Sequence, residues 1–426
     1  MSKRNENRPG YKKTKVGWIP EEWADTKLSF VVNGLQAGVS VNSYDEKARE
    51  GELGVLKTSA VTYGYFRPEE NKRIVNGEIK RARVSPTAEC IIISRMNTKD
   101  LVGASVYIEK DFPNLKLPDR LWLMQVKDKR KYIPRWLGYL MASSRLRSVL
   151  SSRATGTSGS MKNISKQDVL SIRIPLPPLP EQKKIAEILS AWDRAIEITN
   201  RLITNYELLK KGLMQQLLTG RMRFPEFGKP IEKKGQLPEG WKACKLGACF
   251  KERKETNPDL PLLAITSDRG VIPRDEVERK DTSNADKSKY KRIAPGDIGY
   301  NTMRMWQGVS AVSTLEGIVS PAYTICTPKK GHSPSFFGYL FKYPPMIHLF
   351  HRFSQGLVSD TLNLKFRHFS QVKANVPSEA EQIRIAAVLS TCDREIELLK
   401  KKQEKLKEQK KGLMQKLLTG EVRVKI

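Results

Sequence analysis

One stretch of this chain is written twice. Residues 181–220 and 381–420 align without a gap at a constant offset of 200, and half of the aligned positions are identical. The first copy opens EQKKIAEILSAWDRAIE and closes KKGLMQQLLTG; the second opens EQIRIAAVLSTCDREIE and closes KKGLMQKLLTG. A fainter echo lies upstream of each, Ile19-Pro-Glu-Glu-Trp23 with Lys27-Leu28 against Leu237-Pro-Glu-Gly-Trp241 with Lys245-Leu246. The chain is therefore a tandem duplication in which each half is a variable globular region followed by a long helix. Such an architecture can present two sites in a fixed geometric relation.

Within the copies, apolar residues recur at multiples of three and four. The first seam runs Ile185, Leu189, Trp192, Ile196, Ile203, Tyr206, Leu213 and Leu217; the second runs Ile385, Leu389, Cys392, Ile396, Leu399, Leu406, Leu413 and Leu417. Thr199, Lys210, Gln403 and Lys410 interrupt them with polar groups. This is a heptad pattern. A seam of about 38 residues extends on the order of 57 Å at 1.5 Å per residue, too far to be covered by one small domain. Its natural partner is the other copy. Two tandem copies folded back on each other gain a pseudo-two-fold axis, so two identical partners could bind equivalent surfaces. Glu181 and Glu187 near the first helix start suit the positive end of its dipole, and Gly220 suits its stop.

The remaining segments follow from composition and punctuation. Residues 1–16 are polar and basic and are expected to form a mobile arm. Residues 17–178 and 237–376 have a mixed texture, with short apolar runs such as Cys90–Ser94 and Leu121–Val126 broken by Gly, Pro and Asn, and a helical pattern over Pro134–Ala142. The proline run Ile174–Pro180 is a stiff connector into the helix. The expected division is arm 1–16, first domain 17–178, first helix 179–222, linker 223–236, second domain 237–376, second helix 377–422 and tail 423–426. The fold class is α+β: two mixed α/β domains joined by two long helices that pair as an antiparallel coiled coil.

The charge narrows the partners. Against 46 Asp and Glu stand 76 Lys and Arg, a formal net charge of +30. Such an excess points to a polyanion, nucleic acid first. The Lys-rich run 400–411 is expected to be a solvated helix face rather than a phosphate-binding patch. No apolar run is long enough to span a membrane, and the N-terminal residues have no apolar core of a secretory signal. Five scattered cysteines (Cys90, Cys244, Cys249, Cys326, Cys392) are expected to be reduced thiols of a cytoplasmic protein. His348 and His351 share a helical spacing but have no acidic or Cys partner at metal-binding spacing.

Signs of catalysis are missing. The sequence has no GxxxxGK[ST] for a nucleotide motor. Its two Pro-Pro pairs, at Pro177 and Pro344, lack the polar and aromatic flanks with which an amino-methyltransferase holds a flipped base. No Gly-rich strand–loop–helix offers a cofactor pocket, and Pro118-Asp119 and Pro258-Asp259 lack the E-x-K of a metal-dependent nuclease. Four histidines are sparse for acid–base work. A binding protein without metal or cofactor is expected.

Several segments together resemble the specificity subunit of type I restriction–modification systems. They are Tyr11–Trp23, Pro175–Ala186 (PLPPLPEQKKIA) and the helix closures Lys211–Gly220 and Lys411–Gly420, with Ile93–Thr98, Leu101–Gly103 and Pro295–Ile298 inside the two halves. Tyr300–Arg304 and the helix entry Val376–Gln382 depart from the first copy's pattern. The resemblance implies two target-recognition domains, each reading half of a bipartite double-stranded DNA target, with the helix pair setting their spacing. It also implies two modification subunits that supply S-adenosylmethionine binding and methylation, and two restriction/motor subunits that use ATP and Mg. Two other readings stay open: the recognition subunit of an assembly whose nuclease and methylase are fused, and a basic coiled-coil scaffold.

Candidate DNA contacts are polar side chains in loop-like, Gly-rich surroundings. In the first half these are Arg95, Asn97 and Lys99, after the strand Ile91–Ile93, and Thr155, Ser158 and Lys162 around Gly156 and Gly159. In the second half they are Arg304, Gln307, Gln355, Asn363 and Lys365. Arg suits guanine and Asn or Gln suits adenine through paired hydrogen bonds in the major groove, while Lys and most Arg hold phosphates. Trp23 and Trp241 are expected to anchor the domain cores.

Overall fold

A computed structural model describes residues 5–62, 64–156, 161–231, 233, 235–278, 283–358 and 361–426. The chain forms two compact units, Met1–Thr199 with Lys402–Ile426, and Asn200–Lys401. The longer helices are α1 (Pro134–Ala142), α2 (Ser144–Arg153), α3 (Leu179–Leu217), α4 (Pro334–Leu340), α5 (Pro344–Phe353) and α6 (Glu379–Leu417). Each unit contains one globular half, the opening part of the long helix that follows it, and the closing part of the other long helix.

The two globular halves share a sheet plan. In the first, an antiparallel sheet runs in the order Val32–Ala37, Leu121–Val126, Ile91–Ser94, Ser105–Tyr107. In the second, the order is Phe250–Arg253, Tyr323–Pro328, Ile298–Asn301, Ser310–Val312. The unbroken apolar run at Ile91–Ile93 exists because the sheet is covered on both faces. Ile91 and Ile93 join Trp122, Met124 and the α1 residues Trp136 and Leu137 in one cluster. Ile92 joins Leu121, Leu123, Val106 and Ile108 in another on the opposite face.

The long helices pair antiparallel within each unit. In the first, Ile185, Ala186 and Leu189 of α3 share a core with Leu417 of α6 and Leu418, and Leu413 packs against it. In the second, Ile385, Ala386 and Leu389 share a core with Leu217 and Leu218, and Leu213 packs against it. The opening of one helix thus lies beside the close of the other, as an antiparallel coiled coil requires. Of the remaining seam residues, Ile196, Ile203, Cys392 and Ile396 are buried and Trp192 and Leu399 half-buried. The polar interruptions have partners. Lys410 Nζ lies 2.5 Å from Asp193 Oδ1, and Tyr139 donates to the same carboxylate at 2.6 Å. Lys210 lies 2.5 Å from Asp393, and Tyr339 donates to it at 2.7 Å. All three residues of each set differ by 200 in number. Burial and the adjacent carboxylate push both phenols well above their ordinary range, so they remain donors.

These pairs align oppositely charged groups at one helix register. Asp393→Lys is expected to set two ammonium groups against each other and cost about 1 kcal/mol in these partly exposed positions. Adding Lys210→Asp is expected to restore most of the loss, as a double-mutant cycle by urea denaturation would measure. A double variant no more stable than the single would show that the pair contributes nothing to the register.

Each helix entry is locked by a matched polar cluster. Glu181 accepts from Trp23 Nε1 at 2.7 Å and from Arg423 Nε at 2.7 Å. Glu381 accepts from Trp241 Nε1 at 3.0 Å and from Arg223 Nε and Nη2, both at 2.9 Å. Beside them, Gln182 accepts from Ile133 N and donates to Pro177 O, as Gln382 accepts from Ser333 N and donates to Pro377 O. Both residues of each Glu-Gln pair are buried. Glu181 is thus a buried ion-pair partner, not merely a surface charge favouring the helix dipole. Each helix then ends through a glycine, at φ +72 for Gly220 and +70 for Gly420. A Cβ at Gly420 would fall 2.6 Å from Pro20, and at Gly220 2.3 Å from Pro238, so neither position accepts a side chain.

The expected free arm at 1–16 is corrected over residues 5–16. Tyr11–Thr14 pairs with Gly17–Pro20. Asn5 donates to Thr419 O at 3.2 Å, Arg8 to Glu421 O at 2.9 Å and Tyr11 to Gly420 O at 2.5 Å. The lysines of residues 400–411 lie largely on an exposed face and are partly paired, Lys400 with Glu207, Lys401 with Glu397 and Lys407 with Glu404. The five cysteines are free thiols. Among the described residues, no helix is long and apolar enough to cross a membrane, and no group of three His, Cys, Asp or Glu could hold a metal.

Candidate nucleic-acid interface

A short hairpin follows α2 in the first unit and α5 in the second, and the two match at the same offset of 200. In the first, Thr155 and Asn163 exchange backbone hydrogen bonds of 2.8 Å. In the second, Gln355 and Asn363 do the same, also at 2.8 Å. Each hairpin is tied to the segment leaving the strand below it. Ile164 N donates to Arg95 O at 3.0 Å, and Leu364 N to Thr302 O at 2.8 Å. Candidates far apart in sequence are thereby gathered into one site per unit.

In the first site, Met96 and Asn97 pair antiparallel with Asn163 and Lys162. The Arg95 guanidinium lies over the Trp122 ring, 5.7 Å from its centre, and the exposed Lys166 approaches the same ring at 6.0 Å. Arg95 Nε and Asn163 Oδ1 are buried atoms without a hydrogen-bond partner. Asn97 Oδ1 accepts from Thr98 N at 2.9 Å. Lys99 is exposed, and its carbonyl accepts from Ser151 of α2 at 2.9 Å. Lys162 donates to Gly156 O at 2.6 Å, which ties its cation to the hairpin. Thr155 is exposed at the hairpin base, and Ser158 lies outside the described residues.

In the second site, Arg304 and Gln307 are exposed at either end of a turn that follows the strand Ile298–Asn301. Gln355 is exposed at the hairpin base, and Lys365 is exposed just beyond it. Asn363 donates through its amide to Gln355 O at 3.1 Å and Thr361 O at 3.2 Å, so its donors close the hairpin. Trp306, half-buried, packs edge-on against His351 of α5 with ring centres 5.8 Å apart.

The arrangement offers side-chain donors and acceptors beside cations on one exposed loop cluster per unit, which suits a nucleic-acid edge flanked by phosphates. Sequence reasoning missed Lys166, Trp306 and the apolar tip residues Leu357 and Val358. A signal was present: Gly156 and Gly356, and Asn163 and Asn363, recur at the same offset of 200 as the helix repeat.

A family model described as the type I restriction modification DNA specificity domain matches residues 20–207 and again residues 245–408. The chain belongs to the type I restriction–modification specificity subunits. It is 30% identical over 309 residues to the type I restriction enzyme MjaVIII specificity subunit of Methanocaldococcus jannaschii, covering 67% of this chain and 70% of that one. The fold is also that of the type I restriction–modification system S subunit from M. genitalium, with a TM-score of 0.58 at 14% identity over 98% of this chain and 99% of that one. A chain solved in work on complex assembly and conformational transition of a type I system gives a TM-score of 0.56 at 15% identity, covering 95% of this chain and 99% of that one. As a specificity subunit, the protein is the sequence-specific DNA-binding member of a type I complex, and catalysis is not its role. It associates with DNA and with other subunits of such a system.

Proposed function

We propose that the two hairpin sites are the two readers of a bipartite DNA target, one half-site each. The observation that supports this is their duplication: two exposed loop clusters of different side-chain chemistry are built on one sheet plan, with hairpins closed at matched positions. The readers belong to recognition domains at 17–178 and 237–376. Arg95, Asn97, Lys99, Thr155, Ser158 and Lys162 serve the first half-site, and Arg304, Gln307, Gln355, Asn363 and Lys365 the second. The helix pair sets the unread spacing between half-sites. Its pseudo-two-fold repeat provides equivalent docking surfaces for two modification subunits, which carry S-adenosylmethionine. Two restriction/motor subunits supply ATP- and Mg-dependent cleavage, and the assembly works in the cytoplasm.

Exchanging residues 237–376 for the second domain of another family member tests the reading. The methylated motif of the reconstituted complex is expected to change in one half only, as genome-wide detection of modified bases would report. A change in both halves would show that the domains do not read independently.

A further inference from the structure

Between their shared glycine and asparagine the matched hairpins differ in sequence. In the first copy Gly156 is followed by Thr157 and Ser158; in the second, Gly356 is followed by Leu357 and Val358. Leu357 is 101% exposed and Val358 60% exposed. The backbone holds them there. Gly356 sits at φ +148, and a Cβ on it would come 2.7 Å from the Thr361 backbone, so only glycine lets the strands close beneath the tip. The hydrogen bonds between Gln355 and Asn363 fix its base. Exposed cations stand on the three segments that meet the hairpin's base: Arg304 in the turn after Thr302, Arg352 near the end of α5, and Lys365 and Arg367 just after Leu364. Asp360 lies outside the described residues.

An exposed apolar tip on a hairpin whose base is flanked by exposed cations fits a polyanion that also carries an apolar group. A DNA duplex has one such group that also conveys sequence, the C5-methyl of thymine in the major groove. We infer that Leu357 and Val358 are specificity-determining residues that cover a thymine methyl in the second half-site. The inference rests on the reading of the second hairpin as a base-reading site. The first copy carries Thr157 and Ser158 at the equivalent sequence positions, which lie outside the described residues, so thymines of the first half-site serve as the comparison. Covering one methyl strengthens binding about fourfold.

The test uses the whole complex reconstituted with its modification subunits, after its methylated motif is established. Duplexes carry the motif with each thymine of either half-site replaced singly by deoxyuridine, which removes the methyl and keeps every hydrogen bond. One replacement in the second half-site is expected to weaken competition binding about fourfold. The doubly substituted chain, Leu357→Ala with Val358→Ala, is expected to bind the thymine duplex correspondingly less well and to be indifferent to that deoxyuridine. A second variant, Leu357→Thr with Val358→Ser, copies the first copy's sequence and is expected to behave the same way. An unchanged thermal transition in both variants verifies the fold.

Four results would overturn the assignment: a second half-site without thymine, equal binding of deoxyuridine duplexes by the native complex, variants weakened on every duplex while still sensing the methyl, or variants that keep DNA affinity but shed modification subunits. The third would indicate a side chain wedged between base steps, and the fourth a protein partner on the tip. If the motif shows that the second domain reads no bases, the underlying reading fails first and this assignment with it.

Discussion

Replacing Arg223 by methionine is expected to destabilise the second unit by about 3–5 kcal/mol, the usual effect of removing one partner from a buried ion pair. Arg223 and Glu381 side chains are each 2% exposed, and the guanidinium meets the carboxylate through two hydrogen bonds. Without it, Glu381 keeps only the Trp241 indole among the side-chain donors described here and remains out of water. The first unit supplies its own comparison. Arg423 plays the same part towards Glu181, but its side chain is 36% exposed and also contacts Glu22 at the surface. Water can replace a partly open guanidinium, so Arg423→Met should cost less, about 1.5–3 kcal/mol as for a hydrogen bond to a charged group. Urea denaturation with domain-specific probes measures both. Equal losses would mean that burial does not set the strength of these clusters. Replacing Arg223, Glu381 and Trp241 together by apolar residues of similar volume should be far milder than Arg223→Met alone, because no uncompensated charge is left inside.

Lengthening both long helices by one heptad is expected to widen the unread gap in the DNA target by roughly three base pairs. Seven residues add about 10 Å along a helix and return the seam to the same face, and B-DNA rises about 3.4 Å per base pair. The insertions go between Ile196 and Leu213 and between Ile396 and Leu413. There the seam is interrupted by Thr199 and Gln403, and the locks at the helix entries stay untouched. The bases read in each half-site should stay the same, because both hairpin sites lie outside the helices. Inserting two or three residues should instead turn the seam away from its partner and abolish assembly. The measurement is the methylated motif before and after insertion. An unchanged gap in an active variant would show that the helix pair does not set the distance.

What could be read from the sequence depended on how local its cause was. The long helices were legible because their apolar residues recur every three or four positions and because two copies share one offset. The sheet strands Ile91–Ser94 and Leu121–Val126 were legible as runs, since burial on both faces removes polar alternation. The arm was misread because its partners, Thr419, Gly420 and Glu421, are more than 400 residues away. Glu181 was assigned to the helix dipole for the same reason: its partner Arg423 lies 242 residues downstream. In the loops, the sequence supplied residue types suited to base edges but not their neighbours. It could not show that Lys162 and Asn363 have donors engaged in closing their hairpins, or that Arg95 stacks on Trp122.

The division of the chain has a consequence for its birth on the ribosome. The second unit is one unbroken run, Asn200–Lys401, and can complete its contacts as soon as that run emerges. The first unit needs Lys402–Ile426, which are made only after the second unit. Until then Ile185 and Leu189 lack the cover of Leu417 and Leu418, and Glu181 lacks Arg423. At about 5–20 residues per second, some 200 residues of further synthesis leave that face open for roughly 10–40 seconds. The half that is translated first is therefore the half that matures last, and it is this nascent intermediate that a chaperone or an aggregate would meet.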